Sequence, residues 1–265
     1  MVLNLSLWLG ILASAGMLAW SVLRPGLGHN VVDTHGLVIV FGGLASSMLV
    51  CTPAAQIASA LKTLLWILRP SSTPSRKEAA EELTRLAQKA RAEGGILALR
   101  GVDAQFADGF LQRAVATTAA CGETNAAHEI LGVEIRRRRV ARQEDSNTFR
   151  TMGTLAPMFG LLGTLVGMLQ VLNSMSDPTR LGPAMALALS SAFLGIAIAN
   201  WICIPLAGQI RSQAMRETIL YEMIADCVID IAAKLPTFLI ELRLSSYLDE
   251  ADAITASAGT LRENA

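Results

Sequence analysis

Charge is what this 265-residue chain has least of: 17% of its residues are Asp, Glu, Lys or Arg, where a soluble domain carries about 25%. The 22 basic and 22 acidic side chains cancel to a formal net charge of zero. Without a basic surplus there is no drive to bind polyanions, so general nucleic-acid association is excluded. Disorder is excluded too, because 52% of the residues are hydrophobic. Aromatics are scarce, at 5%. The four cysteines, Cys51, Cys121, Cys203 and Cys227, are scattered with no C-x-x-C pair. They specify neither a disulfide framework nor a zinc site. His29, His35 and His128 are too widely spaced for a local metal motif. No Ser-His-Asp constellation or phosphate-binding loop is present either. The chain reads as a non-enzyme with no bound metal or cofactor.

What is present is long uncharged sequence. Residues 1–23, 151–176 and 181–210 carry no ionisable Asp, Glu, Lys, Arg or His, and 34–61 carries only His35. A bilayer core is spanned by about 20 apolar residues in a helix. Transmembrane helices are therefore expected near 3–23, 35–52, 153–174 and 184–207. Ala13-Ser14-Ala15 imitates a signal-peptide cleavage site, but no Lys or Arg precedes the first run, so a retained helix is expected.

Basic residues set the orientation. Fifteen lie between the second and third runs, five follow the fourth, and the short connections hold only Arg24 and Arg180. The middle segment and the tail are thus expected in the cytoplasm, with both termini inside. The run Arg136–Arg139 fits positive-inside anchoring, since no aromatics interleave with it. Cytoplasmic helices are expected over 75–94, 108–121, 123–145 and 209–234, with Pro236 ending or kinking the last. The expected fold is all-α: an integral membrane protein with four transmembrane helices and a helical cytoplasmic region. It divides as 1–52 (first two spans), 53–150 (cytoplasmic helices), 151–208 (last two spans) and 209–265 (cytoplasmic tail). The middle segment carries eleven acidic residues against its fifteen basic ones, and the tail nine against five. These surpluses of opposite sign are expected to pack together.

The third span is the most informative. Gly160, Gly163 and Gly167 share one helix face, which permits close backbone approach in lipid. Pro157 frees a backbone carbonyl and permits a bend. Thr164 is the one hydroxyl in mid-span, either satisfied by its own helix or lining a pathway. Ser190, Ser191, Gly195, Ala197 and Ala199 make a second small-residue surface in the fourth span. No Asp or Glu lies in any expected span. Ion relays through a membrane need an intramembrane ionisable group. The chain either moves no ions or takes the carboxylate from a partner, for which the glycine faces are the expected dock.

Ala156-Pro157-x-x-Gly160-x-x-Gly163-Thr164-x-x-Gly167 resembles the MotA family of flagellar stator subunits, related more distantly to TolQ and ExbB. Val38-Ile39-Val40-Phe41-Gly42-Gly43, Gly195 with Ala199-Asn200, and Leu235-Pro236-x-x-x-Ile240-Glu241-x-x-Leu244 are similar to further family segments. The likeness covers roughly residues 30 to 250. It implies a homo-pentameric ring in the bacterial inner membrane, in contact with membrane lipid. The ring would surround a MotB-like single-span, peptidoglycan-binding partner that supplies an intramembrane Asp. Torque would act on a cytoplasmic, FliG-like rotor protein.

By the same resemblance, Pro157 and Pro236 are coupling prolines. Pro157, Gly160, Gly163, Thr164, Gly167, Ser191, Ala192 and Gly195 form the ion pathway and partner-helix interface. Arg91, Glu93 and Arg100 occupy the rotor-contact region, where Arg100 stands in place of the family's acidic residue. Sodium-driven relatives carry Thr at the position of Ala192. Its absence removes an oxygen that a hard cation needs, which favours H⁺ over Na⁺ as the translocated ion. The alternatives are a TolQ/ExbB-like energiser of outer-membrane processes and a non-transporting membrane scaffold.

Overall fold

The computed structural model describes residues 34–67, 74–101, 106–176 and 178–248, with Gly16 alone before them. The expected first span, 3–23, otherwise lies outside the described residues, as does the chain end after 248. Among the described residues all regular structure is helical, so the all-α expectation holds. We number the helices α1 (34–51), α2 (Ala54–Ile67), α3 (Arg76–Ala92), α4 (Phe110–Cys121), α5 (Thr124–Asn173), α6 (178–232) and α7 (Thr237–Ser246). A 3₁₀ segment, Ile96–Gly101, follows α3. Two π turns interrupt the long helices, Val38–Gly42 in α1 and Ile198–Cys203 in α6.

Two helices are long and apolar enough to cross a membrane, Thr124–Asn173 and Leu181–Ala232. They contain the expected third and fourth spans. The segment expected as the second span is α1, and it passes the same test only together with α2, from which it is bent by 117°. Pro53 is the cause of that bend. It pushes Thr52 into extended backbone (φ −134°, ψ 130°), which ends α1 and redirects the chain.

The expected division between a helix over 123–145 and a span from 153 is corrected: α5 is one helix of 50 residues. Residues 146–152 contain no Gly or Pro breaker, and their hydroxyls are satisfied without leaving helical geometry. Ser146 Oγ donates to the Ala207 carbonyl at 2.8 Å and Thr148 Oγ1 to Glu144 O at 3.0 Å. In α6 the π turn directly precedes Pro205. Proline removes a helical donor and crowds the carbonyl four residues back. The widened π turn accommodates that defect without breaking the helix.

The described chain forms two compact units. Of the described residues, one takes those within 34–67 and 142–212, the other those within 74–141 and 213–248. Within the first unit, α2 and residues 142–150 pack with the apolar helices. Thr63 Oγ1 donates to the buried Asp145 carboxylate at 2.5 Å, and Arg142 donates to Thr63 Oγ1 at 2.9 Å. Phe149, Ala207 and Ile210 close an apolar cluster with Ala60 and Ile67.

The second unit is built on α3, α4, α7 and parts of α5 and α6. Ser75 starts α3 with a capping box: its Oγ accepts the Glu78 N–H, and Glu78 accepts the Ser75 N–H. Leu83, Phe110, Leu111, Leu131, Met223 and Ile224 fill the core. Middle and tail segments do pack together here, around that apolar core. The ion pairs Arg113–Glu134 and Arg138–Glu134 lie within the middle segment and Arg243–Asp230 within the tail. Burial raises the Asp230 carboxyl above its ordinary range, against the lowering effect of Arg243. Burial likewise pushes the Tyr247 phenol up, helped by its 2.6 Å donation to Asp226.

Pro236 does not kink α6. The helix ends before it in a 6→1 turn, with Leu235 N–H donating to Asp230 O and Lys234 N–H to Ile231 O. Pro236 is the N-cap residue of α7. The turn forces Lys234 to φ 56°, the left-handed region where a Cβ is penalised. Lys234→Gly is therefore expected to stabilise the chain by about 0.5–1 kcal/mol. Thermal unfolding of the solubilised protein checks this, and an unchanged or lower Tm would contradict the strain at this turn.

Candidate ion-pathway and coupling site

Most of the expected pathway residues meet, but against each other. Gly160, Gly163 and Gly167 of α5 face Ser191, Gly195 and Ala188 of α6 within the same chain. A Cβ built on Gly160 would lie 2.9 Å from the Ser191 carbonyl oxygen and 3.2 Å from Gly195 Cα. One on Gly163 would lie 2.5 Å from Ser191 Oγ, and one on Gly167 2.7 Å from Ala188 N. From the other side, a Cβ on Gly195 would sit 2.6 Å from Ala156 O. This glycine face, expected to form the ion pathway and partner-helix interface, is packed against α6 of the same chain. Three- and four-residue spacing defines a face, and the closest small-residue face available is on the adjoining helix.

The hydroxyls follow the same logic. Ser191 is fully buried, and its Oγ donates to the Leu187 and Ala188 carbonyls at 2.9 and 3.0 Å. Ser190 Oγ donates to Leu187 O at 3.2 Å. Thr164 Oγ1 donates to Leu161 O at 2.6 Å and is only partly exposed. Each satisfies its donor on its own helix, the usual fate of such groups in lipid. Ala192 is partly buried and adds no oxygen.

The outward face of α5 is different in kind. Met158, Leu161, Leu165, Met168 and Leu172 recur at spacings of three and four, and all are exposed, as is Met175 just beyond the helix end. Leu162 and Leu169 widen this surface. Large flexible side chains suit acyl chains or another apolar helix, and here they form the free surface of the span.

Pro157 sits inside α5, partly buried. It leaves the Gly153 carbonyl without its helical donor. Gly153 lies against α6 at the end of its π turn, where a Cβ would be 3.3 Å from Cys203 Cβ and 3.1 Å from Ile204 Cγ1. Sequence reasoning singled out neither Gly153 nor the π turn. The proline four residues on from Gly153, and Pro205, were the signals available.

In the other unit, Arg91 is exposed in the last turn of α3 and Glu93 is its exposed C-cap. Arg100 lies in the 3₁₀ segment after the left-handed Gly94 and Gly95. Arg91 and Lys234 flank a hollow of about 310 Å³ floored by Ala87, Ala90, Ile231, Leu235 and Ile240. Pro236 sets the direction of α7, which brings Ile240 to that floor. Lys234 was missed from the sequence as a member of this group.

Because backbone contact between α5 and α6 excludes any side chain at Gly195, Gly195→Val is expected to destabilise the spanning unit by about 2 kcal/mol or more. Ser191→Ala is expected to cost less than about 1 kcal/mol, since it removes a donor along with its own-helix bond. Thermal stability of the two purified variants measures both, and equal losses would contradict the packing described.

A family model described as the MotA/TolQ/ExbB proton channel family matches residues 102–223. Chemotaxis protein PomA of Vibrio alginolyticus is 26% identical over 249 residues, covering 94% of this chain and 96% of that protein. Motility protein A of Cereibacter sphaeroides is 26% identical over 241 residues, covering 91% and 94%. Among solved structures, C. jejuni MotAB has a TM-score of 0.83 at 20% identity, covering 94% of this chain and 97% of that one. The flagellar MotAB stator complex from Bacillus subtilis has 0.84 at 22%, with the same coverage. These two share the fold. The chain is thus similar to the MotA/TolQ/ExbB proton channel family over residues 102–223, and to motility and chemotaxis proteins of this type over nearly its whole length.

Proposed function

We propose that the chain is a MotA-like stator subunit that couples proton flow to torque in flagellar motility. One observation carries the reading: similarity to motility and chemotaxis proteins of this type extends over nearly the whole chain and nearly the whole of those proteins. The TolQ/ExbB-like and scaffold alternatives gain no observation of their own.

The residues say how the task is divided. No Asp or Glu lies in 34–51, 151–176 or 178–210, so no carboxylate is available in these segments to carry a proton. Transport then needs one from outside the chain. A MotB-like single-span partner supplies it, held by a ring of these subunits that we take to be five. The glycine face is filled from within the chain, so the partner meets the outward Leu/Met surface of α5 near Thr164, not the glycines. Sited in the inner membrane with four spans and both termini in the cytoplasm, the subunit presents Arg91, Glu93 and Arg100 to a FliG-like rotor. The hollow between Arg91 and Lys234 suits an acidic, partly apolar rotor segment.

The proton assignment rests on oxygen supply. A dehydrated Na⁺ takes several oxygen ligands, as hard cations do. Ala192 offers none, and Ser191 is sealed against Gly163.

The test is restoration of rotation in cells that lack stators. This chain and a MotB-like single-span partner should restore rotation together and neither should alone. Speed should follow the proton gradient and be unchanged when Na⁺ is replaced by K⁺. Pro157→Leu should lower torque by about tenfold or more while the complex still assembles, since it removes the bendable turn. Sodium dependence would reject the proton, and full torque in Pro157→Leu would reject the mechanism.

A further inference from the structure

The segment Val38–Gly43 stands out in the sequence, yet the stator reading assigns its glycines no task. The structure distinguishes the two. A Cβ on Gly42 would meet open space, whereas one on Gly43 would overlap the ring of Phe159 and lie 2.8 Å from its Cγ. Gly43 is therefore required by contact and Gly42 is not.

Phe159 lies two residues past Pro157 and packs, partly buried, on a cluster of Leu44, Met48, Ala156 and Ala199. Three departures from regular α geometry converge on that cluster. Pro157 breaks the α5 hydrogen-bond ladder at Gly153. The π turn Val38–Gly42 ends immediately before Gly43 in α1. The π turn Ile198–Cys203 in α6 contributes Ile198 and Ala199. π turns inside α-helices are rare and recur at functional sites. A stiff aromatic ring seated directly on backbone, with no Cβ between, leaves no slack to absorb a shift. Close-packed interiors of this kind rearrange between discrete states and do not deform gradually.

We propose that Phe159, seated on Gly43, is a positioning residue that passes a bend at Pro157 into α1. The proline turn and the two π turns then act as one mechanical layer. Phe159 acts through α1 and touches no ion. The assignment rests on the ion-driven stator reading above.

The experiment uses the full chain with its partner and compares Gly43→Ala, Phe159→Leu and the double variant. Three quantities are read for each: assembled complexes, ion flux per complex, and torque per complex. Gly43→Ala should lower torque per complex by about tenfold while assembly and flux per complex stay within about twofold. Leu lacks the ring edge, so the double variant should recover torque to within about threefold of wild type. A purely structural contact would instead lower assembly and leave torque per assembled complex unchanged. That outcome, normal torque in Gly43→Ala, or a double variant no better than the single one would overturn the assignment. If the unsubstituted chain conducts no ions with its partner, the stator reading falls and this assignment with it. Normal conduction with coupling unaffected by the variants removes this assignment alone.

Discussion

The approach of α5 to α6 at Gly160 and Gly195 is the constraint on which the spanning unit depends. In lipid no hydrophobic gain brings apolar helices together, so association rests on dispersion contacts and on how closely backbones can approach. Here that approach is set by atoms that leave no room for a Cβ on either side. The consequences spread outward. Ser191 is pressed against Gly163, so its hydroxyl turns back to the Leu187 and Ala188 carbonyls. Gly36 of α1 rests on Ser190 and Ser191, where a Cβ would be 3.2 Å from Ser190 Oγ. With small residues consumed inside, the bulky Leu and Met side chains of α5 lie on the far side and form its external surface.

The other unit rests on a different balance. Its middle and tail segments carry opposite surpluses of charge, and the sequence led to the expectation that they pack together. They do, but exposed ion pairs contribute little to stability. Arg113 and Arg138 converge on Glu134 within one segment, and Arg243 reaches Asp230 within the other. What joins the segments is apolar: Leu83, Phe110, Leu131, Met223 and Val228 are almost fully buried together. The guanidinium of Arg138, 5.4 Å from the Tyr221 ring centroid, lies between the two descriptions.

Much of this was legible in the chain. The distribution of charge located the apolar helices, Pro74-Ser75 marked the start of α3, and Gly94-Gly95 marked its end. Three features were not legible, each for a physical reason. The spacing of Gly160, Gly163 and Gly167 defines a face but carries no information about which helix lies on it. The fusion of 123–145 with the third span follows from the absence of a breaker, and an absence gives no positive signal. The π turn in α6 is a compensation for Pro205, and propensity alone cannot distinguish compensation from a break. The bend after α1 is the converse case. Thr52-Pro53 is an extended dipeptide by simple sterics, so the turn into α2 was written in the sequence and passed over.

The hydroxyl inventory bears on how such a unit can handle an ion. A pathway that strips a metal cation must replace its water oxygens with protein oxygens. In α5 and α6 the mid-span hydroxyls are Thr164, Ser190 and Ser191, and each donates its proton to its own helix. Two of the three are also buried in the helix contact. Reaching the Ser191 oxygen would mean separating α5 from α6 at Gly163, against the close packing there. A proton makes no such demand. It needs only one titrating group at a time and can reach it through water or a single hydroxyl. In this frame the mid-span hydroxyls are bonded within their own helices, and close backbone approach joins α5 to α6 there.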